Sequence, residues 1–202
     1  MAIYVIRHGE TASNADRILQ TPEIPLNARG QEQARRLAKR LAASRFALIL
    51  SSPLERAAMT ARELASATGA PLEYDDGLQE RSYGELRGRP YSEVGDIFGE
   101  SFAPPGGETW AEFHIRVADA WSRAAGRAAR LEGDLALVTH GLFCRSLVAR
   151  VLALPAGSEP PRQFRNTSLT IADAAPPFAV RLLDCSAHLD AEPAGETARG
   201  AV

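Results

Sequence analysis

Ile3-Tyr4-Val5-Ile6-Arg7-His8-Gly9-Glu10-Thr11 is an apolar, strand-like run that stops on a histidine beside an arginine, with a glycine to turn the chain. In open α/β sheets ligands collect outside the carboxyl ends of the strands, so Arg7 and His8 are expected to project into the crevice where chemistry is done. Leu135-Ala136-Leu137-Val138-Thr139 repeats the geometry far downstream, followed at once by His140-Gly141 and a helical pattern over 142–152. Two strand-end histidines, each followed by glycine, point to a shared site. Either one alone could simply cap a loop; the pairing, with the arginines described below, favours a site. Histidine is also the commonest metal ligand. Here there is no His at i, i+4 and no paired cysteines, and only His114 and His188 remain to complete a ligand set, so no metal is expected.

The rest of the composition sets bounds. A chain of 202 residues fits one domain with a substantial core, read as 1–189, and the polar, apolar-poor stretch 190–202 reads as a disordered tail. Apolar content of 45% and charged content of 24% are those of an ordinary soluble globule. A net charge of -2 advertises neither nucleic acid nor an anionic membrane as a partner, so any anion binding must come from local clustering. The two cysteines, Cys144 and Cys185, make no metal or redox spacing and suit a reducing cytosol. The short run at 3–6 lacks the basic segment of a targeting signal and no stretch reaches the length of a membrane span; the expected compartment is the cytoplasm.

Between residues 26 and 44, Ala34, Leu37, Ala38, Leu41 and Ala42 recur at helical spacing, with a basic, solvated face opposite. A strand is expected at 47–50. Ser51-Ser52-Pro53-Leu54 then opens a second helix, with serine suited to the N-cap and Pro53 to the first turn. That puts Arg56 in the first turn, where the helix dipole disfavours a cation and a bound anion would remove the conflict. Residues 78–88 read as a loop dense in hydrogen-bonding groups, of the kind that carries function. Pro104-Pro105-Gly106-Gly107-Glu108-Thr109 stops the chain before a long amphipathic helix built on Phe113, Val117, Ala120, Trp121, Ala124 and Ala128. Strands at 168–172 and 179–183 look like a closing hairpin. Helices alternating with strands make an α/β sandwich.

His8, Arg7, Arg56 and His140, with Asn14 and Arg17 in the loop after His8, form a set suited to a phosphate. Guanidiniums bind its oxygens bidentately, and a fixed imidazole beside them can attack phosphorus. His8 is the better nucleophile candidate because it adjoins Arg7 on the first strand. Cationic side chains can compensate the charge of phosphoryl transfer without a metal. A leaving alkoxide still needs a proton, and Glu80, set among Arg81, Ser82 and Tyr83, is the expected acid, with its pKa raised by burial or by the incoming phosphate.

With these residues in place the chain resembles the histidine phosphatase superfamily, also called the phosphoglycerate-mutase-like family. The matching motifs run in order: Arg7-His8-Gly9-Glu10-Thr11; Pro25-Leu26 with Gly30-Gln31-Glu32-Gln33-Ala34; Ser51-Ser52-Pro53-Leu54-Glu55-Arg56-Ala57 with Thr60-Ala61; Glu80 with Gly84 and Gly88; Gly106-Gly107-Glu108; Thr139-His140-Gly141; and Asn166-Thr167-Ser168. The resemblance implies a three-layer α/β/α sandwich with a mostly parallel sheet and a phosphohistidine mechanism. In that mechanism His8 takes the phosphoryl group, Arg7, Arg56 and His140 hold it, Glu80 protonates the leaving group, and water releases phosphate. It further implies substrate contacts from Gly9, Asn14, Arg17, Gln20, Thr21, Arg81, Tyr83 and Gly141, with no metal or organic cofactor.

The family holds both hydrolases and mutases. Glu80-Arg81-Ser82-Tyr83-Gly84 is like the mutase version of its loop, but mutases resemble one another in a longer following insertion with a lysine and a tandem arginine pair. Here 89–105 has neither and instead carries Tyr91, Val94, Ile97, Phe98 and Phe102. Mutases also resemble one another in following the second histidine-glycine with asparagine and serine, whereas this chain has Leu142-Phe143. The expected activity is therefore a phosphomonoesterase acting on a small phosphate ester. A phosphoglycerate mutase is the alternative, and a non-catalytic phosphopeptide-binding module a weaker one, since such a module needs no Glu80 beside an intact His8 and His140. If Tyr91, Phe98, Phe102 and Phe143 wall the pocket rather than fill the core, an apolar substrate body is favoured over a second anion unless Arg81 pairs with that anion. The oligomeric state, a homodimer included, is left open.

Overall fold

The opening run forms β1 (Ala2–Arg7), and its alternation divides its side chains between two cores. Ile3 and Val5 face one, with Phe113, Trp121 and Phe143, while Ile6 faces the other, with Leu37 and Ile49. A strand buried on both faces calls for helices on both sides of its sheet. The computed structural model describes residues 1–190, and in it the sequence continues through α1 (Ala12–Ala15), α2 (Ala28–Leu41), β2 (Phe46–Ser51), α3 (Glu55–Thr68), β3 (Leu72–Tyr74), α4 (Trp110–Ala128), β4 (Asp134–Thr139), α5 (Gly141–Arg150), β5 (Leu169–Asp173) and β6 (Val180–Cys185). The sheet order is β3-β2-β4-β1-β5-β6. The first four strands run parallel and the closing hairpin is antiparallel. Helices α4 and α5 cover one face, α2 and α3 the other, which is the three-layer α/β/α sandwich expected.

Local chemistry explains where the elements begin. Asn27 caps α2 by accepting from the Gly30 amide at 2.7 Å, so this helix starts at Ala28, within the 26–44 span read from its periodicity. The serine cap expected for the next helix is not formed: α3 begins at Glu55 with Leu54 in the cap position and no side-chain bond. A missing cap costs about 1 kcal/mol. Burial of Ala57, Ala61 and Leu64 against the sheet outweighs it, since one fully buried leucine contributes about 1.5–3 kcal/mol. Ser52 is thereby released for another role. The long helix is as expected: Phe113, Val117, Ala120, Trp121, Ala124 and Ala128 are all buried, and Thr109 with Glu112 closes a capping box at its start. β3, three residues at the sheet edge with largely exposed side chains, carries no alternation long enough to read from sequence.

Among the described residues no helix is long and apolar enough to cross a membrane. The tail read as disordered lies outside the described residues except for Asp190, which closes the short turn Ala187–Leu189.

Candidate active site

Strand register builds the site. β1 and β4 pair in parallel with Arg7 opposite Thr139, so the residues that follow, His8 and His140, leave the sheet side by side. Their ring centroids are 5.1 Å apart. β2 lies on the other side of β4 and ends at Ser51 opposite Val138, which brings Ser52 Oγ within 2.8 Å of His140 Nε2. Arg56 follows in the first turn of α3, and Gly141 opens α5. A Cβ on Gly141 would stand 3.3 Å from Arg7 Nε, so the guanidinium lies tight against this turn.

His8 is 2% exposed and is fixed from several directions. Its amide donates to the Thr139 carbonyl at 2.9 Å, and its carbonyl accepts from Asn166 Nδ2 at 3.0 Å and the Thr167 amide at 3.3 Å. Its Nδ1 is 2.6 Å from the Gly9 carbonyl. A carbonyl only accepts, so Nδ1 carries the proton and Nε2 presents its lone pair. Gly9 packs so closely on the start of α2 that a Cβ would come 2.5 Å from the Gly30 carbonyl oxygen; no side chain fits there. Burial, and then the charges of Arg56 and Arg7, hold the His8 pKa well below its ordinary value. Burial, then Arg56, His8 and Arg7, hold the His140 pKa well below its ordinary value as well.

The cations are buried too. Arg7 and Arg56 are 8% and 2% exposed. Arg7 Nη1 donates to the Phe164 carbonyl, Arg56 Nη1 to the Thr21 carbonyl at 3.1 Å, and both Nε groups have no acceptor among the described residues. Burial lowers the Arg56 pKa to about 10, which leaves it charged at neutral pH. Two buried, charged, under-satisfied guanidiniums beside a helix N-terminus form a strong anion site. Across from them Glu80 accepts at Oε1 from the Arg81 amide and at Oε2 from the Leu142 amide, each at 3.0 Å. Burial raises its pKa, against the opposing pull of these two amides and of Arg56 and Arg7.

Glu80 is itself held by Arg116 of α4, which the sequence analysis did not single out. Arg116 pairs with both oxygens of Glu108 at 2.7 Å and donates to the carbonyls of Gly77 and Gln79 at 2.9 Å and of Glu80 at 3.2 Å. No local motif marks it, because the loop carbonyls it holds lie more than 30 residues before it.

Among the residues expected at the substrate, Arg81 is instead turned inward. It donates to the Glu108, Ile97 and Phe102 carbonyls at 3.0, 3.2 and 2.7 Å and lies 4.0 Å from the centre of the Trp110 ring. Its charge ties residues 97–102 to the acid loop. Tyr83 is buried with Leu19 and Ile97, under that guanidinium at 5.3 Å. Thr21 contributes its carbonyl to Arg56. Asn14 Oδ1 and Gln20 Oε1 both lie 3.1 Å from Thr11 Oγ1, whose single proton serves one of them at a time. Arg17 is exposed with φ 55°, and its carbonyl accepts from the Tyr91 amide at 2.9 Å.

The apolar residues of 91–102 and 142–143 divide. Phe143 is fully buried in the main core, while Ile97 forms a small core with Leu19 and Tyr83, against which Phe102 packs. Tyr91, which the sequence presents only as apolar, lies in the field of Glu80, Arg7, Arg17 and Arg56. The basic face of α2 borders an open groove with Ala187 and His188 that holds none of the site groups. Among the described residues no three His, Cys, Asp or Glu side chains gather to hold a metal ion.

Known proteins share this architecture and sequence. The probable phosphoglycerate mutase GpmB of Enterobacter sp. (strain 638) is 33% identical over 218 residues, spanning 98% of this chain and 100% of that protein. A putative alpha-ribazole-5'-P phosphatase from Escherichia coli K-12 superposes with a TM-score of 0.80 at 27% identity, over 92% of this chain and 97% of that one. A mycobacterial glucosyl-3-phosphoglycerate phosphatase in complex with VO3 does so with a TM-score of 0.73 at 27% identity, over 85% and 90%. The profile of the histidine phosphatase superfamily (branch 1) matches residues 3–177. What the motifs resembled in isolation is therefore a membership that spans nearly all of the described residues: this chain belongs to the histidine phosphatase superfamily, branch 1.

Proposed function

We propose that the protein is a phosphomonoesterase that works through a phosphohistidine on a small phosphorylated metabolite, without a metal or organic cofactor. The observation that carries this reading is the 2.6 Å approach of His8 Nδ1 to the Gly9 carbonyl: with Nδ1–H spent there, a neutral Nε2 is left as a nucleophile in the field of two buried guanidiniums. Nε2 forms the new bond to phosphorus as the bond to the leaving oxygen breaks, and protonated Glu80 gives its proton to that oxygen. Arg7, Arg56 and His140 hold the charge of the transferring group. Water then attacks the phosphohistidine, the Glu80 carboxylate takes its proton, and free His8 and inorganic phosphate return.

Hydrolysis is favoured over mutase chemistry by the cations that the chain lacks or diverts. A mutase must retain a bisphosphate while it turns. Residues 89–105 hold no lysine and no Arg-Arg, and each of the three guanidinium nitrogens of Arg81 donates to a backbone carbonyl. On the other side stand the name of the GpmB relatives and the mutase-like run Glu80-Arg81-Ser82-Tyr83-Gly84. A screen of phosphate monoesters in the presence of chelator decides, run beside 3-phosphoglycerate with catalytic 2,3-bisphosphoglycerate. Release of inorganic phosphate, undiminished by exhaustive chelation, is expected. Isomerisation without phosphate release would establish the mutase instead, and loss on chelation with recovery on adding one metal would overturn the metal-free mechanism.

Arg116 gives a separate test of the acid loop. Arg116→Ala removes a partly buried ion pair and leaves three loop carbonyls with one donor fewer, so a loss of about 2–4 kcal/mol of stability is expected. If its role is to position Glu80, the activity that remains should be impaired more on alkyl than on aryl phosphates, whose leaving groups need little protonation. Urea melts and turnover of both substrate types check the two parts. An equal loss on both substrate types would reduce Arg116 to a structural strut.

A further inference from the structure

We infer that the cavity between the start of α4, the outer length of α5 and residues 98–100 is a second ligand site, built for an organic anion with an apolar body and separate from the His8 pocket. It encloses about 180 Å³, the volume of about six liquid waters, enough for one ring system and its anionic group. Its apolar wall comes from Phe98, Trp110, Leu142 and Ala149, its polar wall from His114, Ser146, Arg145 and Arg150, with Glu100 the one carboxylate against two arginines. None of the groups assigned to phosphoryl transfer lines it.

Three observations make it more than a crevice. The polar wall is built: Ser146, 5% exposed, bonds His114 Nδ1 at 2.7 Å, and His114 stacks on Trp110 at 5.5 Å and 26°. This fixes the ring and leaves His114 Nε2 with no protein partner among the described residues. The cations are unanswered: Arg145 and Arg150 make no ion pair or hydrogen bond with any described residue. An exposed arginine on its own needs no partner, but two lining one cavity with a buried hydroxyl and an imidazole, against the single carboxylate of Glu100, leave a net positive field. After burial, Arg150, Arg81 and Arg145 all lower the His114 pKa, and only Glu100 opposes them. The apolar wall is also uncovered, with Phe98 42% exposed. An anion with an apolar body answers the charge and covers the ring together, which neither a bare phosphate nor a hydrocarbon does. Leu142 joins this cavity to the catalytic acid, since its side chain lines the one while its amide bonds Glu80.

The test assumes nothing about the phosphate reaction. 2-Naphthoate is titrated into the full chain by calorimetry, with the His114 ring followed by NMR. Expected are binding that inorganic phosphate does not displace and His8→Ala does not weaken, and an affinity about fivefold lower in Arg145→Ala and again in Arg150→Ala. Because a nearby anion favours the imidazolium, the His114 pKa should rise on binding, and binding should tighten as pH falls toward that pKa. Both arginines are exposed, so the variants should melt as the parent does. Displacement by phosphate, loss in His8→Ala, absence of binding, or full affinity in the double arginine variant would each overturn the site.

Discussion

Replacing His8 by alanine is expected to lower phosphate-ester turnover by roughly four orders of magnitude or more, because the variant loses the nucleophile and not merely a binding contact. The fold should survive. The bonds that fix this position run through its backbone, from the amide to Thr139 and from Asn166 and Thr167 to the carbonyl, and alanine keeps all three. Brief reaction of the parent with labelled substrate should leave protein-bound label that is acid-labile and base-stable, as a phosphoramidate is, and His8→Ala should carry none. The choice of His8 over His140 is open to the same experiment. Both rings are buried and neutral, but only His8 has its Nδ1 proton committed to a carbonyl. Label retained by His8→Ala, or normal turnover, would move the nucleophile elsewhere.

Glu80→Gln should slow alkyl phosphates by roughly two to four orders of magnitude and aryl phosphates far less. The amide replaces one acceptor by a donor, so one of the Arg81 and Leu142 amides loses its partner, at about 1 kcal/mol of stability. That cost is common to both substrates; the difference between them isolates proton transfer. The pH profile carries the same information. The competent form has His8 neutral and Glu80 protonated. Burial and the two guanidiniums lower the His8 pKa, which moves the acid limb below the ordinary imidazole range. Burial raises the Glu80 pKa, so the alkaline limb lies above the ordinary carboxylate range. Alkyl-phosphate turnover should therefore fall as pH rises through the Glu80 pKa, and Glu80→Gln should lack that limb. Equal losses on alkyl and aryl esters would remove Glu80 from the role of acid.

The corrections share one cause. Arg81 and Phe143 sit in polar or catalytic-looking neighbourhoods of the sequence, yet one is committed to backbone carbonyls and the other to the core. Tyr91 reads as one apolar residue in a run of them and lies in the field of the catalytic charges. Ser52 reads as a helix cap and instead bonds His140. Side-chain direction in loops is set by partners far along the chain, and no local pattern encodes those.

Strand and helix periods are local, because the alternation of a strand and the 3.6-residue turn of a helix are properties of a short backbone segment. Hence β1, β4, α2 and α4, the strand-end placement of His8 and His140, and the sandwich they imply were all determined by the sequence by itself. The pairing of β1 with β4 in the register that sets those rings 5.1 Å apart was decided by tertiary structure. So were the burial that shifts His8 and Glu80 in opposite directions, the grip of Arg116 on the acid loop, and the cavity beside Leu142. Each depends on how much water is excluded and which charges meet, and those quantities exist only once distant segments have packed together.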